Sequence, residues 1–261
     1  MNVLVTGASS GIGAGLARGF AADGHTVGIC ARRKDRLEEV LADCQQTAPD
    51  SRKWVIDLSD LDAVGPFAEQ ADDELGGIDL LINNAGIPKR RHALQLTPDV
   101  VDDVMAINYS SPVRLTLALL PRMIKRGTGR ILTISSVAAR FGPPREAAYS
   151  ASKAALSAFM ESLAVDLDGT DIKINLVNPG IIDTELFHLP DNETSLADLD
   201  ALPVQAMVDA VKQQIEDNVF EIYVPDWFKD IAANRYGNLG QFIEGSKDYT
   251  RERVKQMEAE A

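Results

Sequence analysis

Val3-Leu4-Val5-Thr6-Gly7-Ala8-Ser9-Ser10-Gly11-Ile12-Gly13 opens the chain with a short apolar run and a glycine-rich turn. Val3–Val5 has the make-up of a buried parallel strand. From Ile12 the apolar spacing is helical, through Leu16 and Phe20. A strand that turns directly into a helix leaves the helix's unpaired N–H groups at the turn, where they face an anion. Gly7 permits the sharp turn, Gly11 a close approach of backbone to phosphate oxygens, and Gly13 close packing of helix on strand. The spacing is Gly-x-x-x-Gly-x-Gly rather than Gly-x-Gly-x-x-Gly, so the turn alone leaves a purely structural reading open. Its place straight after a first strand favours a pyrophosphate cradle, with Gly7, Ser9, Ser10, Gly11, Ile12 and Gly13 as candidate contacts.

Beyond this start, short apolar strands alternate with helical segments: Val27–Cys30, Trp54–Ile56, Leu80–Ile82, Ile131–Ile134 and Ile174–Val177. The alternation predicts an α/β fold, a doubly wound Rossmann-type parallel sheet in a three-layer α/β/α sandwich. Leu115–Ile124 and Ala154–Leu167 are apolar-periodic stretches expected to pack on the sheet or on another subunit. Phe220–Val224 alternates and reads as a last strand stopped by Pro225. Residues 188–203 are acidic and turn-rich, and with the helix Val204–Ile215 they give an expected substrate lid over about 185–218. Residues 226–261 read as a C-terminal extension carrying Trp227, Phe228, Tyr236 and Phe242. No repeat and no second domain is visible, and 261 residues suit one α/β domain with a substantial core.

Composition excludes several classes. Hydrophobic content of 45% and charged content of 25% are those of a globular chain. A net charge of −13 argues against a nucleic-acid surface. No apolar run approaches the ~18 residues of a membrane span, and Met1 leads into a strand with no secretory leader pattern. Cys30 and Cys44 lack metal-ligand spacing with histidines, Cys30 lies in an apolar strand, and a reducing cytoplasm is the expected compartment. No metal site is expected.

Tyr149-Ser150-Ala151-Ser152-Lys153 carries the chemistry. Positions i and i+4 share a helical face. A tyrosine ordinarily holds its proton to a pH near ~10, and a nearby ammonium favours the phenolate. Bringing that proton into the neutral range would take about 4 kcal/mol of differential interaction. Cofactor choice turns on the end of the second strand, where an enzyme that uses NAD would place a carboxylate for the ribose 2′-hydroxyl. Ala31-Arg32-Arg33 stands there instead, with no acid before Asp35. Guanidinium groups match a 2′-phosphate in charge and donor geometry. NADP(H) is therefore expected over NAD(H), with Arg32 the main contact and Arg33 the second; a solvated pair that starts a helix is the alternative.

Thr6–Gly13, Asn83-Asn84-Ala85-Gly86, Ile134-Ser135-Ser136, Tyr149–Lys153 and Asn178-Pro179-Gly180 occur in the order seen in short-chain dehydrogenases/reductases. Over about residues 1–185 the chain resembles that family, and the match is loose beyond. The resemblance implies a Rossmann-type, NAD(P)-dependent oxidoreductase and no particular substrate. It implies that Tyr149 protonates a carbonyl oxygen as hydride reaches carbon, and that Lys153 holds the nicotinamide ribose and depresses the tyrosine's proton affinity. It gives Ser136 the role of carbonyl polariser, with Ser135 as the competing choice. Asn108, in Met105-Ala106-Ile107-Asn108, matches an asparagine that kinks a central helix and holds a relay water; a satisfied buried amide is the alternative. Asn84, Ala85 and Gly86 match a stretch near the adenine ribose, and Asp57-Leu58 an adenine contact, although Asp57 could instead cap the helix beginning near Ser59. Pro179, Gly180, Ile182 and Thr184 match the stretch that binds the carboxamide. The resemblance also implies a homodimer or homotetramer.

Lys89-Arg90-Arg91-His92, Arg140 and Arg145 make a local basic cluster in loops that leave the carboxyl ends of strands. One reading is a cationic rim for an anionic substrate; the other is solvated loop charge or a subunit contact. The aromatic tail leads towards an apolar substrate, a subunit interface or a membrane surface. The function read from the sequence is hydride transfer between NADP(H) and a ketone or secondary alcohol. The competing readings are a dinucleotide-sensing or scaffold protein on the same fold, and an epimerase or dehydratase with tightly bound nicotinamide.

Overall fold

In the first strand, β1 (Asn2–Thr6), side chains point alternately to the two faces of the sheet. Val3 and Val5 join one buried cluster and Leu4 the other, each with no exposed surface. A computed structural model describes residues 1–260. Its sheet has seven parallel strands in the order β3-β2-β1-β4-β5-β6-β7. After β1 these are β2 (Thr26–Ala31), β3 (Arg52–Val55), β4 (Leu80–Asn83), β5 (Gly129–Ile134), β6 (Ile172–Pro179) and β7 (Glu221–Val224).

One face is covered by α1 (Gly11–Ala22), α2 (Lys34–Gln45) and α8 (Val204–Asp217), the other by α3 (Leu61–Leu75), α5 (Ser111–Arg126) and α7 (Ala147–Asp166). Leu16 and Phe20 of α1, Leu37 of α2 and Met207 of α8 fill the first layer. Phe67 of α3, Leu119 of α5 and Met160 of α7 fill the second. The remaining helices are α4 (Pro98–Met105), α6 (Ala138–Phe141), α9 (Phe228–Gly237) and α10 (Leu239–Glu260). Among the described residues no helix is long and apolar enough to cross a membrane. Ala261, the last residue of the expected extension, lies outside the described residues.

Several boundaries differ from the sequence expectations. β3 ends at Val55, so Ile56 lies beyond it. The cap of α3 is Asp60, whose Oδ1 accepts from Ala63 N, rather than Asp57. Asp57 Oδ1 instead accepts from the N–H of Ser59 at 3.0 Å and its hydroxyl at 2.8 Å, an Asx turn. Of the expected lid over 185–218, α8 is core: Met207, Val208 and Val211 are buried, and Val204 and Val208 pack on Gly15 and Gly19 of α1. The segment outside the core is thereby reduced to about 185–203. Its end is tied to the sheet side through Asp183 N donating to Leu202 O at 2.8 Å and Leu202 N to Ile181 O at 2.9 Å.

Candidate active site

The strand order reverses direction between β1 and β4, and the crevice outside their carboxyl ends is where such sheets bind ligands. Thr6 makes that junction: its Oγ1 accepts from Asn84 N and Ala85 N, both at 3.0 Å. Asn84 Nδ2 returns a bond to Thr6 O at 2.9 Å, so its side chain belongs to the scaffold. Gly7 has φ +66°, and a Cβ there would stand 2.8 Å from Ala85 Cα. A Cβ on Gly13 would stand 2.6 Å from Gly7 O, so helix and turn are in closest approach. Ser10, the N-cap of α1, makes no side-chain capping bond, and the first turn carries no acid. The N-terminal N–H groups of α1 are thus left for an anion.

A cavity of about 1000 Å³ opens at this edge of the sheet. Gly7, Ser9–Ile12, Arg32, Arg33, Asp57, Leu58 and Asn84–Gly86 line one end. Ser136, Tyr149, Lys153, Pro179, Gly180, Ile182 and Thr184 line its middle. All these candidates except Gly13 and Asn108 line the cavity directly; Gly13 packs beneath the loop and Asn108 lies in the supporting helix. Arg33 Nη2 donates to Ser10 Oγ at 2.6 Å and to Ser9 Oγ at 3.1 Å. Its Nη1 donates to Glu185 at 2.8 Å, and Arg36 joins the same carboxylate at 2.9 Å. Arg32 turns towards Asp57, 3.9 Å away. The guanidinium drawn into the loop is therefore Arg33, the one ranked second from sequence, because the residue capping α2 folds back over Ser9 and Ser10.

Tyr149 and Lys153 lie one turn apart on α7, as the spacing predicts. Lys153 is buried, and its Nζ donates to Ile134 O at 2.8 Å while standing 5.9 Å from the centre of the Tyr149 ring. Burial pulls its proton affinity down to about 8. The expected depression of Tyr149 is not what the enclosure produces. Burial pushes the phenol up to about 12, with Ser136 opposing, Glu146 adding and Arg90 opposing. Desolvation outweighs the Ser136 hydrogen bond and the Arg90 charge, which favour the phenolate. Ser136 Oγ accepts from Ala138 N at 3.1 Å, whereas Ser135, which also lines the cavity, has its Oγ 2.7 Å from Ser157 Oγ.

Asn108 lies in a π turn (Ala106–Ser110) between α4 and α5. That wide turn bends the helix there. Asn108 Oδ1 accepts from Ile87 N at 2.8 Å, and Nδ2 donates to Ile87 O at 2.9 Å and Ser152 Oγ at 3.0 Å. Its amide is fully used within the protein, and Ser152 passes the link to Tyr149 O at 2.7 Å.

Of the basic cluster, for which a cationic rim was one of two readings, Lys89, Arg140 and Arg145 are neutralised by acids of the same chain. Lys89 pairs with Asp191, Arg145 with Glu193 at 3.2 Å, and Arg140 with Glu161 and Glu221. Three parts of the site escaped the sequence reading: Glu146, a half-buried acid one turn before Tyr149; Glu185; and Phe141, Phe187 and Leu196, which join Trp227, Phe228 and Phe242 of the aromatic tail in an apolar wall at the far end. The rings of Phe141 and Phe228 stack at 5.7 Å, and Phe242 lies 6.4 Å from Phe141.

A doubly wound sheet, a glycine turn at its switch point and a Ser–Tyr–Lys cluster beside that turn define a dinucleotide-fold protein of the dehydrogenase type. The chain belongs to the short chain dehydrogenase family, whose profile matches residues 1–194. It is 44% identical over 189 residues to a dehydrogenase/reductase SDR family protein 7-like of Anopheles gambiae, covering 70% of this chain and 60% of that protein. The chain thus spans about 60% of the length of that curated relative. A short-chain dehydrogenase from Sphingobium yanoikuyae solved with NADPH superposes with TM-score 0.79 at 28% identity, over 91% of this chain and 94% of that one. A metagenomic short-chain oxidoreductase solved with NADP gives TM-score 0.66 at 34% identity, over 70% and 84%.

Proposed function

We propose that the protein is an NADPH-dependent reductase of apolar ketones, with Tyr149 as proton donor. The observation that carries this reading is the convergence of Ser136, Tyr149 and Lys153 on the cavity that also contains the glycine turn. NADP-bound and NADPH-bound relatives of the same fold support the cofactor class. The residues fit it: free N–H groups at α1 would hold the pyrophosphate, and Arg33, with Arg32 beside it, a 2′-phosphate. Glu185 on Arg33 marks a place where an anion is favoured.

Bound there, NADPH supplies the hydride that reduces the carbonyl carbon. Tyr149, with a phenol pushed up to about 12, is fully protonated at neutral pH and can donate to the carbonyl oxygen. Ser136 supplies a second hydroxyl to that oxygen. Lys153, anchored by Ile134 O, would hold the nicotinamide ribose, and Asn108 through Ser152 fixes the turn of α7 that carries Tyr149. Leu117 and Ile124 of α5 and Val165 of α7 are exposed, which supports a homo-oligomer through these helices.

The test is NADPH oxidation against a panel of ketones. Tyr149→Phe should lower kcat by roughly 10²–10⁴-fold while NADPH still binds, and Arg33→Ala should cut the NADPH/NADH ratio of kcat/KM about tenfold or more. Full activity in Tyr149→Phe removes the proton-donor role.

A further inference from the structure

Arg90 is buried, 5% exposed, and lines the cavity that holds Glu146 and Tyr149. Taking a guanidinium out of water is costly unless its donors are satisfied. Here one distant segment of chain takes up two of its five N–H donors. Nε donates to Glu193 O at 2.9 Å, Nη2 donates to Phe187 O, and the guanidinium carbon lies 4.7 Å from the centre of the Phe187 ring. The main chain adds two more links: Arg90 N donates to Asn192 Oδ1 at 2.7 Å, and Glu193 N donates to Arg90 O at 3.2 Å.

The neighbouring residues reinforce the same junction. Lys89 pairs with Asp191, and His92 N donates to Glu193 Oε1 at 2.6 Å. Arg145 Nη1 donates to Thr194 O at 3.0 Å, and Arg91 N donates to Arg145 O at 2.8 Å. Lys89 and Arg145 both occupy the left-handed region, with φ +43° and +67°. Side-chain-bearing residues avoid that region unless the surroundings hold them there. Phe187, carried by this strap, faces the cavity together with Tyr149.

We propose that Arg90 is a positioning residue that acts through Phe187. It pins the 187–194 strap so that the Phe187 ring forms a fixed wall of the substrate end of the cleft. The kinetic consequence rests on the ketone-reductase reading above; the structural consequence does not. The candidate pyrophosphate and 2′-phosphate contacts lie at the opposite end and the nicotinamide contacts in the middle, so loss of the pin acts chiefly on carbonyl binding and changes dinucleotide binding little. A lysine keeps the charge but cannot span Phe187 O and Glu193 O as the guanidinium fork does.

The experiment compares wild type with Arg90→Lys, Arg90→Met, Phe187→Leu and Asn192→Ala. It reads kcat and KM for a turned-over ketone, NADPH Kd, and amide hydrogen exchange over 187–196. Both Arg90 variants should raise KM about tenfold or more, with kcat and NADPH Kd within about threefold, and exchange over 187–196 should rise about tenfold. Phe187→Leu and Asn192→Ala should move KM and exchange the same way by less; they decide the question if the Arg90 variants do not fold. Restoration of wild-type KM by lysine, or unaltered exchange over 187–196, overturns the proposal. If wild type reduces no carbonyl compound, the reductase reading fails by itself, and the exchange measurement alone decides the role of Arg90.

Discussion

Glu146 and Tyr149 share a cavity wall, and burial moves both in the same direction. It pushes Glu146 from 4.5 up to about 7, with Arg90 opposing. Between pH 4.5 and 7 the folded chain therefore binds a proton that the unfolded chain has released, and stability falls as pH rises through that window. Glu146→Gln removes this penalty. Its Tm should equal that of wild type near pH 4.5 and exceed it at pH 8, by an amount corresponding to about 3 kcal/mol. Thermal melts at the two pH values check this, and a gain that is equal at both would refute it. The pairing of Tyr149 with Lys153 was readable in the sequence because helical spacing alone puts them together. The direction in which the tyrosine is perturbed was not, since enclosure by Ser136, Glu146 and Arg90 depends on the folded chain.

The strands were the most legible elements, because a buried parallel strand needs an apolar run whatever surrounds it. Helix starts were less so. α7 begins at Ala147, seven residues before the apolar periodicity is evident, because Ser150, Ser152 and Lys153 are buried for the site's sake and break the pattern. The π turn at Asn108 and the pairing of distant loops by Arg90 leave no local trace. Nor does the joint between α3 and α5, where buried Asp72 accepts from Ile78 N at 2.6 Å and from Arg122 and Arg126, each at 3.0 Å. Asp72→Ala would strand the Ile78 N–H and leave both guanidinium groups without that partner. The expected cost is about 3 kcal/mol in urea unfolding, with Asp72→Asn retaining part of it. A loss below about 0.5 kcal/mol would show the joint to be ornamental.

At the scale of the whole molecule, two regions of chain build the cleft. Residues up to Thr184 supply the glycine turn, Ser136, Tyr149 and Lys153, and apart from Phe141 the apolar far wall comes from residues 187–199, Trp227, α9 and α10. Tyr249 of α10 ties the two later pieces together: its hydroxyl donates to Leu196 O at 2.9 Å and accepts from Asp198 N at 3.1 Å. Phe242→Ala should lower kcat/KM for a bulky apolar ketone about tenfold, with little change for acetone-sized substrates or for NADPH Kd. Equal losses on large and small substrates would assign Phe242 to folding rather than to recognition. The sequence yielded a reaction type and no substrate because most of that wall lies beyond residues 1–194, the stretch that matches the family profile.

The family profile stops at residue 194, and the far wall of the cleft is built chiefly from residues beyond that point, Leu196, Trp227, Phe228 and Phe242. Relatives could thus exchange one appetite for another by rewriting the distal third of the polypeptide, while the hydride chemistry upstream is inherited unaltered.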